Sequence, residues 1–518
     1  MPSPSPRAPW WQTAVVYQVY PRSFADANGD GIGDLEGVRQ HLDHLAWLGV
    51  DAVWLSPFYR SPMHDFGYDV ADYCDVDPLF GTLADFDRLV ADAQALGIRV
   101  IVDLVPNHTS SEHPWFQASR SSRDDPKRDW YVWRDGGGPD TPPNNWVGAF
   151  IEGPAWTWDD ATQQWYLHQF LPEQPDLNWD SPEVVAAIHD VMRFWLDRGV
   201  SGFRIDVVHC IGRDPEYPDD EPPWVGIPHC AINEHPSTHE HIRNMRVLVD
   251  ARPGEPVLIG ETALPGTRWV APYYGQGDEL HLAFNFAFTR APWDADAWRQ
   301  RVVRVQEELD PRGAWPTWVL SNHDLPRNRT RHGGSEARAR AAAVASLTLR
   351  GTPFIYAGEE LGLEDAVVPP ERVVDPGGRD GCRAPLPWTP DPGHGWGPDP
   401  WLPFPPEAAE RSVAVQREDE GSVLHLYRRL LSLRRSSVAL QLGDLTLLDS
   451  PAGTLAWRRT LGDDERVVVL NMSEQAVDVD LAGTVELSSD GHGEAAPFTG
   501  RLAADTAVVL RPSQSARQ

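Results

Sequence analysis

The residues best suited to chemistry stand in one apolar stretch, residues 200–207, which reads VSGFRIDV. Arg204 and Asp206 lie two residues apart, so a strand would point both side chains to one face. A guanidinium beside a carboxylate favours the charged form, and we expect it to lower the pKa of Asp206. An ionised aspartate held at a strand end suits nucleophilic attack on a sugar carbon. Alone, an Arg-x-Asp pair is more often a surface ion pair, so other residues must decide.

Three further apolar stretches also end in residues that could take part in catalysis. One is followed by His108 and another by Glu261, and a third is followed by His323 and Asp324. Two carboxylates, one nucleophile and one proton donor, are the minimum equipment for glycoside hydrolysis. Neutral histidines and a further aspartate suit the binding of hydroxyls and the stabilisation of developing positive charge. Each residue could singly be a structural cap, but the ends of successive strands would bring all of them together.

The elements that would position these residues alternate between strand and helix. Strands are predicted at residues 14–20, 52–55, 100–104, 202–206, 257–261, 282–285, 318–321 and 354–356. Eight strands alternating with helices predict an α/β fold, a (β/α)₈ TIM barrel with its functional residues at the carboxyl ends of the strands.

Two stretches interrupt this alternation of strands and helices, and a third stretch follows it. Residues 109–178 are rich in Trp, Pro, Asp and Asn, which predicts an inserted subdomain after the third strand. The barrel would then comprise residues 1–108 and 179–437, with a Pro/Gly-rich excursion at about 362–417. Short alternating runs in residues 438–518 predict a C-terminal β-sandwich domain.

Composition excludes several classes of function. The net charge of −31 argues against binding to nucleic acid or to an anionic membrane surface. No apolar run is long enough for a membrane span, and residues 1–8 lack the apolar core of a signal peptide, so we expect a cytoplasmic protein. The four cysteines contain no CxxC pair. Cys210 and Cys230 could lie close together, although free thiols are expected.

Four segments, DLVPNH, GFRIDVVH, LIGE and SNHD, resemble the four motifs of the α-amylase family, glycoside hydrolase family thirteen. The opening YQVYPRSF and the later QPDLN resemble its α-glucosidase and oligo-1,6-glucosidase branch. The resemblance extends over nearly the whole chain. It implies that Asp206 is the nucleophile, that Glu261 is the acid and base, and that Asp324 stabilises the transition state.

The same resemblance implies a set of substrate-binding residues. Tyr68 would stack on the sugar, Phe170 would wall the pocket, and the remaining members would line it: His108, Arg204 and His323. In α-glucosidases an aspartate pairs with an arginine from the loop after the eighth strand and closes the pocket. Here that pair is predicted to be Asp69 and Arg379, with Arg383 in the same loop. The segment RDGCRAPLPW departs from the family's RDNARTPMQW form, and the departures lie toward the acceptor side.

The loop DANGDGIGD, residues 26–34, offers oxygen atoms at alternate positions, as a hard cation prefers. It begins like an EF-hand, but Gly37 stands where the bidentate glutamate would be. The resemblance suggests a structural Ca²⁺ or Mg²⁺ held by side chains and one carbonyl: Asp26, Asn28, Asp30, Asp34 and the carbonyl of Ile32. A plain loop of Asx turns is the alternative, and no organic cofactor is expected.

The expected partner is a small α-glucoside, cleaved from its non-reducing end with retention of configuration. Val207 matches the residue type that related isomaltases carry, which favours α-1,6 links. A transglucosidase or isomerase of the same family, such as a trehalose synthase or a sucrose-processing enzyme, is the alternative function. A non-catalytic amylase-like scaffold is disfavoured because all three carboxylates are present.

Overall fold

The computed structural model describes residues 8–149, 153–220, 235–375 and 377–512. Cys230 lies outside the described residues, so the structure does not test a pairing of Cys230 with Cys210. All predicted site residues lie inside the described ranges.

Eight parallel strands form one sheet. In chain order they are Val16–Val19, Ala52–Leu55, Arg99–Leu104, Gly202–Ile205, Val257–Gly260, Leu282–Ala283, Thr317–Val319 and Thr352–Tyr356. The sheet order runs from the sixth strand down to the first, then to the eighth and the seventh. The Thr317 hydroxyl donates to the Ala283 carbonyl at 2.8 Å and accepts from the Asn285 amide at 3.1 Å. This hydroxyl joins the sixth and seventh strands, and the predicted (β/α)₈ barrel is confirmed.

The strands end slightly earlier than predicted. The fourth strand ends at Ile205 and the fifth at Gly260, so Asp206 and Glu261 each stand one residue beyond a strand. Both strands run in parallel register, with Ile205 opposite Gly260. The two carboxylates therefore leave the sheet at the same level on the carboxyl-end face.

Helices follow the strands and cover the sheet. Their bounds are Leu35–Gln40, Leu42–Leu48, Leu83–Ala95, Pro182–Asp197, Pro236–Asp250, Thr267–Val270, Ala295–Leu309, Asn328–Arg331, Glu336–Thr348, Val413–Glu418, Val423–Ser436 and Val438–Leu442, with short helices at Trp10–Thr13 and Pro21–Phe24. Residues 35–48 form two helices rather than one, because the backbone at His41, with a φ of −109°, is not helical. Ser181 caps the helix Pro182–Asp197, since its side chain accepts from the Val184 amide.

The segment 109–178 carries a small fold of its own. It contains the helix Pro114–Ser121 and a three-stranded antiparallel sheet of Trp133–Arg134, Trp156–Asp159 and Gln164–Leu167. A short antiparallel pair, Tyr59–Arg60 with Asp72–Val76, precedes it. Asp176 of the QPDLN motif is buried and accepts from Arg213 at 2.9 Å and from Asn107 at 3.2 Å. This motif therefore ties the segment to the end of the third barrel strand.

The C-terminal segment is an antiparallel β structure. Five strands form one sheet: Asp444–Leu448, Thr454–Leu461, Asp464–Asn471, Thr484–Ser488 and Thr506–Arg511. Val477–Asp478 pairs separately with Arg501–Leu502. The final strand packs on the barrel helix Glu336–Thr348, which is buried at every residue from Ala339 to Thr348. No helix in the described part of the chain has the length and apolar character needed to cross a membrane.

Candidate active site

One buried guanidinium organises the carboxylates at the strand ends. Arg204 Nη1 donates to Asp206 Oδ1 at 2.8 Å and to Asp103 Oδ1 at 2.9 Å. Its Nη2 donates to Glu261 Oε2 at 2.6 Å. The Arg204 side chain is only 1 % exposed. The predicted nucleophile Asp206 and the predicted acid Glu261 therefore both accept hydrogen bonds from the Arg204 guanidinium, which holds them side by side.

The expected lowering of the Asp206 pKa is wrong. Burial raises the pKa of Asp206 well above its usual range, and the nearby Glu261 and Asp103 carboxylates raise it further, although Arg204 opposes them. The physical reason is that Asp206 is buried and that one guanidinium must neutralise three carboxylates placed close together. Asp206 and Glu261 both accept from the Arg204 guanidinium, so their negative charges lie close together and the charge of Glu261 disfavours the ionisation of Asp206.

Val207 takes a strained conformation between these two groups. Its φ of 33° and ψ of 44° lie in the left-handed region, which a β-branched residue rarely adopts. In this conformation the Val207 amide donates to Glu261 Oε2 at 3.2 Å. Strain of this kind persists only where the surrounding structure enforces it, and here it supplies a hydrogen bond to the predicted acid.

Tyr68 and His323 lie against the same cluster. The Tyr68 hydroxyl is 2.7 Å from His323 Nε2 and 3.2 Å from Asp103 Oδ2. His323 Nδ1 lies 2.7 Å from the Gln18 side-chain nitrogen. Burial lowers the pKa of His323 to about 3, so the ring is neutral near pH 7 and acts as a hydrogen-bonding group.

The predicted pairing of Asp69 with Arg379 is also wrong, because Asp65 takes that place. Arg379 Nη2 donates to Asp65 Oδ1 at 2.6 Å. Asp69 instead accepts from the Asp65 amide at 3.0 Å, from the His64 amide at 2.9 Å and from the Ser61 hydroxyl at 2.8 Å. The Asp69 carboxylate is thus used within its own loop, and it holds Asp65 in position to meet Arg379.

Arg379 and Arg383 join the loop after the eighth strand to Asp324. Arg379 Nη1 lies 3.2 Å and Arg383 Nη2 lies 3.3 Å from Asp324 Oδ1. Asp375 accepts from Arg379 Nη2 at 2.6 Å and so fixes the guanidinium. Burial would raise the pKa of Asp324, but His323, Arg379 and Arg383 outweigh it and hold the pKa below its usual range. Asp324 is therefore ionised near neutral pH.

A continuous wall runs from Arg379 toward the inserted segment. Gln174 donates to Asp65 Oδ2 at 3.1 Å, and the same nitrogen lies 3.1 Å from His108 Nε2. The Phe170 ring packs 5.1 Å from the His108 ring. Burial lowers the pKa of His108 to about 3, so this ring is neutral as well. The structure thus assembles His108 and Phe170 beside the pair formed by Asp65 and Arg379.

Four residues of this assembly were missed from the sequence: Asp65, Asp103, Gln174 and Asp375. Asp103 is the first residue of the DLVPNH segment and Gln174 is the first residue of QPDLN, so membership of these motifs was a signal that could have identified both residues. Asp65 stands three residues before Tyr68, and only the fold of this loop shows that Asp65, and not Asp69, pairs with Arg379. Asp375 precedes Arg379 by four residues, and only the contact reveals its role.

The oxygens of the loop at residues 26–34 mainly accept backbone hydrogens. Asn28 Oδ1 accepts from the Asp30 amide at 2.8 Å, and Asp30 Oδ1 accepts from the Ile32 amide at 2.9 Å, as in Asx turns. Asp26 accepts from the Gly29 amide at 2.6 Å, and Asp34 caps the next helix through the Gly37 amide at 2.6 Å.

These contacts match the Asx-turn alternative. Within the described ranges, no group of three or more His, Cys, Asp or Glu side chains is arranged to hold a metal ion. Each carboxylate still has lone pairs that the amides do not use. The cation site therefore stays a prediction, and no catalytic step depends on it.

Comparisons with known proteins agree with this geometry. Residues 18–443 match the family described as Alpha amylase, catalytic domain. A probable alpha-glucosidase of Rhizobium meliloti (strain 1021) is 42 % identical over 519 residues, covering 94 % of each chain. An oligo-1,6-glucosidase of Parageobacillus thermoglucosidasius is 39 % identical, covering 90 % of this chain and 91 % of the relative.

Solved structures are similar to nearly the whole molecule. The crystal structure of the alpha-glucosyl transfer enzyme XgtA has a TM-score of 0.90 and 41 % identity, covering 98 % of this chain and 100 % of that one. The chain therefore belongs to the α-amylase family, glycoside hydrolase family thirteen, and within that family to the α-glucosidase and oligo-1,6-glucosidase branch.

Proposed function

We propose that this enzyme is an exo-acting, retaining α-glucosidase that removes terminal non-reducing glucose from short oligosaccharides. The observation that carries the proposal is the position of Arg379. Its guanidinium binds Asp65 and Asp324 at one end of the site, while Arg204 holds Asp206 and Glu261.

The closed end supports exo action. Arg379, Asp65, Gln174 and His108 form an unbroken chain of contacts. A long polysaccharide could not pass through this wall, so only a chain end fits against it. The charged groups of the wall suit hydrogen bonds to the outer hydroxyls of a terminal sugar.

Two carboxylates would carry out the reaction by double displacement. An oxygen of Asp206 forms a bond to the anomeric carbon while the bond to the leaving oxygen breaks, and Glu261 gives its proton to that oxygen. In the second step Glu261 takes a proton from water, whose oxygen bonds to the anomeric carbon as the ester breaks. Two inversions at one carbon leave the product in the α form.

Catalysis by this route requires an ionised Asp206 and a proton on Glu261. Arg204 contacts both carboxylates, so it can stabilise the negative charge on whichever group carries it. Asp324, which is ionised and 28 % exposed, is suited to bind ring hydroxyls and to stabilise positive charge at the sugar ring.

Transglucosylation is the second candidate function, and the similarity to an alpha-glucosyl transfer enzyme favours it. The first half of the reaction would be the same. The two functions differ only in whether water or a sugar hydroxyl attacks the ester. We also propose a preference for α-1,6 links, which rests on Val207 and on the similarity to an oligo-1,6-glucosidase.

The test is glucose release from maltose, isomaltose, nigerose, kojibiose, trehalose and sucrose, with the anomeric form followed by NMR. We expect α-glucose from one or more of these sugars, with isomaltose preferred. New disaccharides at high sugar concentration would instead identify a transferase. Asp206→Ala should reduce turnover by about 10⁴-fold or more while the protein stays folded. β-Glucose, or turnover by Asp206→Ala near that of the wild type, would contradict the proposed mechanism.

A further inference from the structure

One buried guanidinium near the closed end of the site lacks the usual partners of such a group. Arg22 follows the first strand, in the short helix Pro21–Phe24, and is only 7 % exposed. Its side chain has no hydrogen bond and no ion pair to any of the described residues. Burial of a charge without such partners costs free energy, so another contribution of this residue must offset the cost.

Aromatic rings surround this guanidinium. Its central carbon lies 5.3 Å from the centre of the Phe66 ring, 5.0 Å from that of Trp401 and 5.8 Å from that of Phe80. The centres of the Phe66 and Trp401 rings are 5.5 Å apart. A cation within about 6 Å of an aromatic ring is attracted to it, and more strongly when water is excluded. We call these four residues the Arg22 cluster.

The Arg22 cluster contacts the loop of Asp65 through Phe66. Phe66 comes directly after Asp65 and has a φ of 46°, while Met63, two residues before Asp65, has a φ of 68°. Residues other than glycine rarely adopt these left-handed values, so surrounding contacts must enforce them. The contacts of the Phe66 ring with Arg22 and Trp401 are of this kind.

Trp401 connects the same cluster to the loop after the eighth strand. Its Nε1 donates to the Ser23 hydroxyl at 3.1 Å. That hydroxyl donates in turn to the carbonyl of Arg383, which stands four residues after Arg379. The Arg22 cluster therefore contacts both segments that meet at the closed end.

We propose that Arg22 is a positioning residue for the closed end of the site. It acts through the rings of Phe66 and Trp401, which its charge attracts. Their contacts hold the two segments in the conformation that directs Asp65 toward Arg379. The inference rests on the proposed function, because the closed end matters only if it binds the terminal sugar.

The first test is Arg22→Met, which keeps a straight side chain and removes the charge. We expect kcat/KM for the disaccharide that the wild type prefers to fall by about 10-fold, because a misplaced binding group loses contact with the sugar. The loss should lie in KM, with kcat within about 3-fold, since the outer hydroxyls are bound alike in the ground state and the transition state.

The thermal stability of Arg22→Met separates positioning from a merely structural role. The substitution replaces a buried charge that has no hydrogen-bond or ion-pair partner among the described residues, so the Tm should not fall. A lower Tm with an unchanged KM would identify a structural role and overturn the inference.

Two substitutions of Trp401 test the route through the rings. Trp401→Leu removes the ring and should raise KM as Arg22→Met does. Trp401→Phe keeps an aromatic face for Arg22 and should retain a KM close to that of the wild type. Equal KM values for the two Trp401 variants would contradict action through the ring.

A double-mutant cycle locates the effect at Asp65. In the Asp65→Asn background, Arg22→Met should change KM by less than about 2-fold, because the contact that it positions is already weakened. The control is Arg99→Met, which removes a guanidinium 4.6 Å from the Trp10 ring at the start of the third strand, on the opposite face of the barrel. It should leave KM and kcat within about 2-fold of the wild-type values.

Multiplicative effects of the Arg22 and Asp65 substitutions would overturn the inference and leave the proposed function intact. So would unchanged kinetics of Arg22→Met. The absence of glucose release from every sugar by the wild type would instead overturn the proposed function, and the inference with it.

Discussion

At the scale of single residues, Arg204 determines how the carboxylates behave. It binds Asp103, Asp206 and Glu261 through two nitrogens. Burial raises the pKa of Asp103 to about 6, although Arg204 opposes this. Asp103 raises the pKa of Asp206 without contacting the sugar, because its charge lies close to Asp206 and it shares Arg204 with that residue.

The pH dependence of activity should report this arrangement. Asp206 must be ionised to attack, and its pKa is raised, so activity should be lost on acidification at a pH above about 3.9, the usual aspartate pKa. Asp103→Asn removes one negative neighbour and should lower the pKa of Asp206, which moves the acid limb of kcat/KM to lower pH. A pH profile of both proteins measures the shift. An acid limb at the same pH in the variant would show that Asp103 does not act on Asp206.

Asp65 and Asp69 offer a matched pair of substitutions. Asp65→Asn weakens the contact with Arg379 at the closed end, and kcat/KM for a disaccharide should fall by about 10- to 100-fold. Asp69→Asn acts within the loop, where the carboxylate accepts from two backbone amides, and should mainly lower thermal stability. Steady-state kinetics and thermal unfolding of both variants provide the measurements. A loss of activity in Asp69→Asn together with a loss of stability in Asp65→Asn would instead support the pairing of Asp69 with Arg379 that the sequence predicted.

At the scale of elements, the end of the eighth strand carries two buried carboxyl groups. Glu360 accepts from the Tyr17 hydroxyl at 2.7 Å, and Glu359 accepts from the Tyr427 hydroxyl at 3.0 Å. Burial raises the pKa of Glu359 to about 8 and that of Glu360 to about 7. Both groups are therefore protonated in the folded protein at pH values where the unfolded chain would ionise them.

This difference makes stability depend on pH. Between about pH 4.5 and 8, unfolding releases the proton of Glu359, so stability falls as the pH rises. Glu359→Gln keeps a hydrogen-bond acceptor for Tyr427 and removes the titration, so its Tm should decline less than that of the wild type from pH 5 to pH 8. Each kcal/mol preserved corresponds to about 1 °C in a chain of 518 residues. The exposed Glu418→Gln serves as the control, and parallel Tm curves for Glu359→Gln and the wild type would contradict the expectation.

The loop at residues 26–34 is the second element with a testable property. A structural cation there should bind to chelator-treated protein with measurable heat and raise the Tm, because ligands that bind only the folded state stabilise it. Calorimetry with Ca²⁺ and then with Mg²⁺ decides between the metal site and a loop held by Asx turns. No heat and no change in Tm would favour the turns.

At the scale of the whole molecule, the C-terminal sheet and the barrel share buried contacts. Arg459 donates to the Thr348 carbonyl at 2.6 Å, and Arg340 donates to the Ser489 carbonyl at 2.6 Å. Trp293 donates to Asp505 at 2.7 Å. The helix Glu336–Thr348 lies between the two parts and is buried on all sides.

Removal of the sheet should therefore damage the barrel. A chain that ends at Gly443 would expose the helix Glu336–Thr348 to water along one face, and exposed apolar surface of this kind promotes aggregation. We expect the truncated protein to be insoluble or strongly destabilised, and the full chain to unfold in one cooperative calorimetric transition. A soluble truncated barrel with the Tm of the full chain would show that the two parts are independent.

The sequence by itself determined the barrel and the residues at its strand ends. The alternation of apolar strands and amphipathic helices predicts eight parallel strands, and parallel register places residues that follow successive strands on one face. Asp206 and Glu261 could be paired in this way because each comes directly after a strand. The inserted segment and the C-terminal β structure were also evident, because their composition and periodicity differ from those of the barrel.

Only the tertiary structure decided the contacts that depend on several loops at once. Asp65 rather than Asp69 meets Arg379 because the loop uses the Asp69 carboxylate for its own amides, and spacing along the chain does not reveal that competition. The pKa of Asp206 is raised rather than lowered because Asp103 and Glu261 arrive from other strands. Desolvation and charge crowding depend on distances between residues far apart in sequence, so they can be read only once the chain is folded.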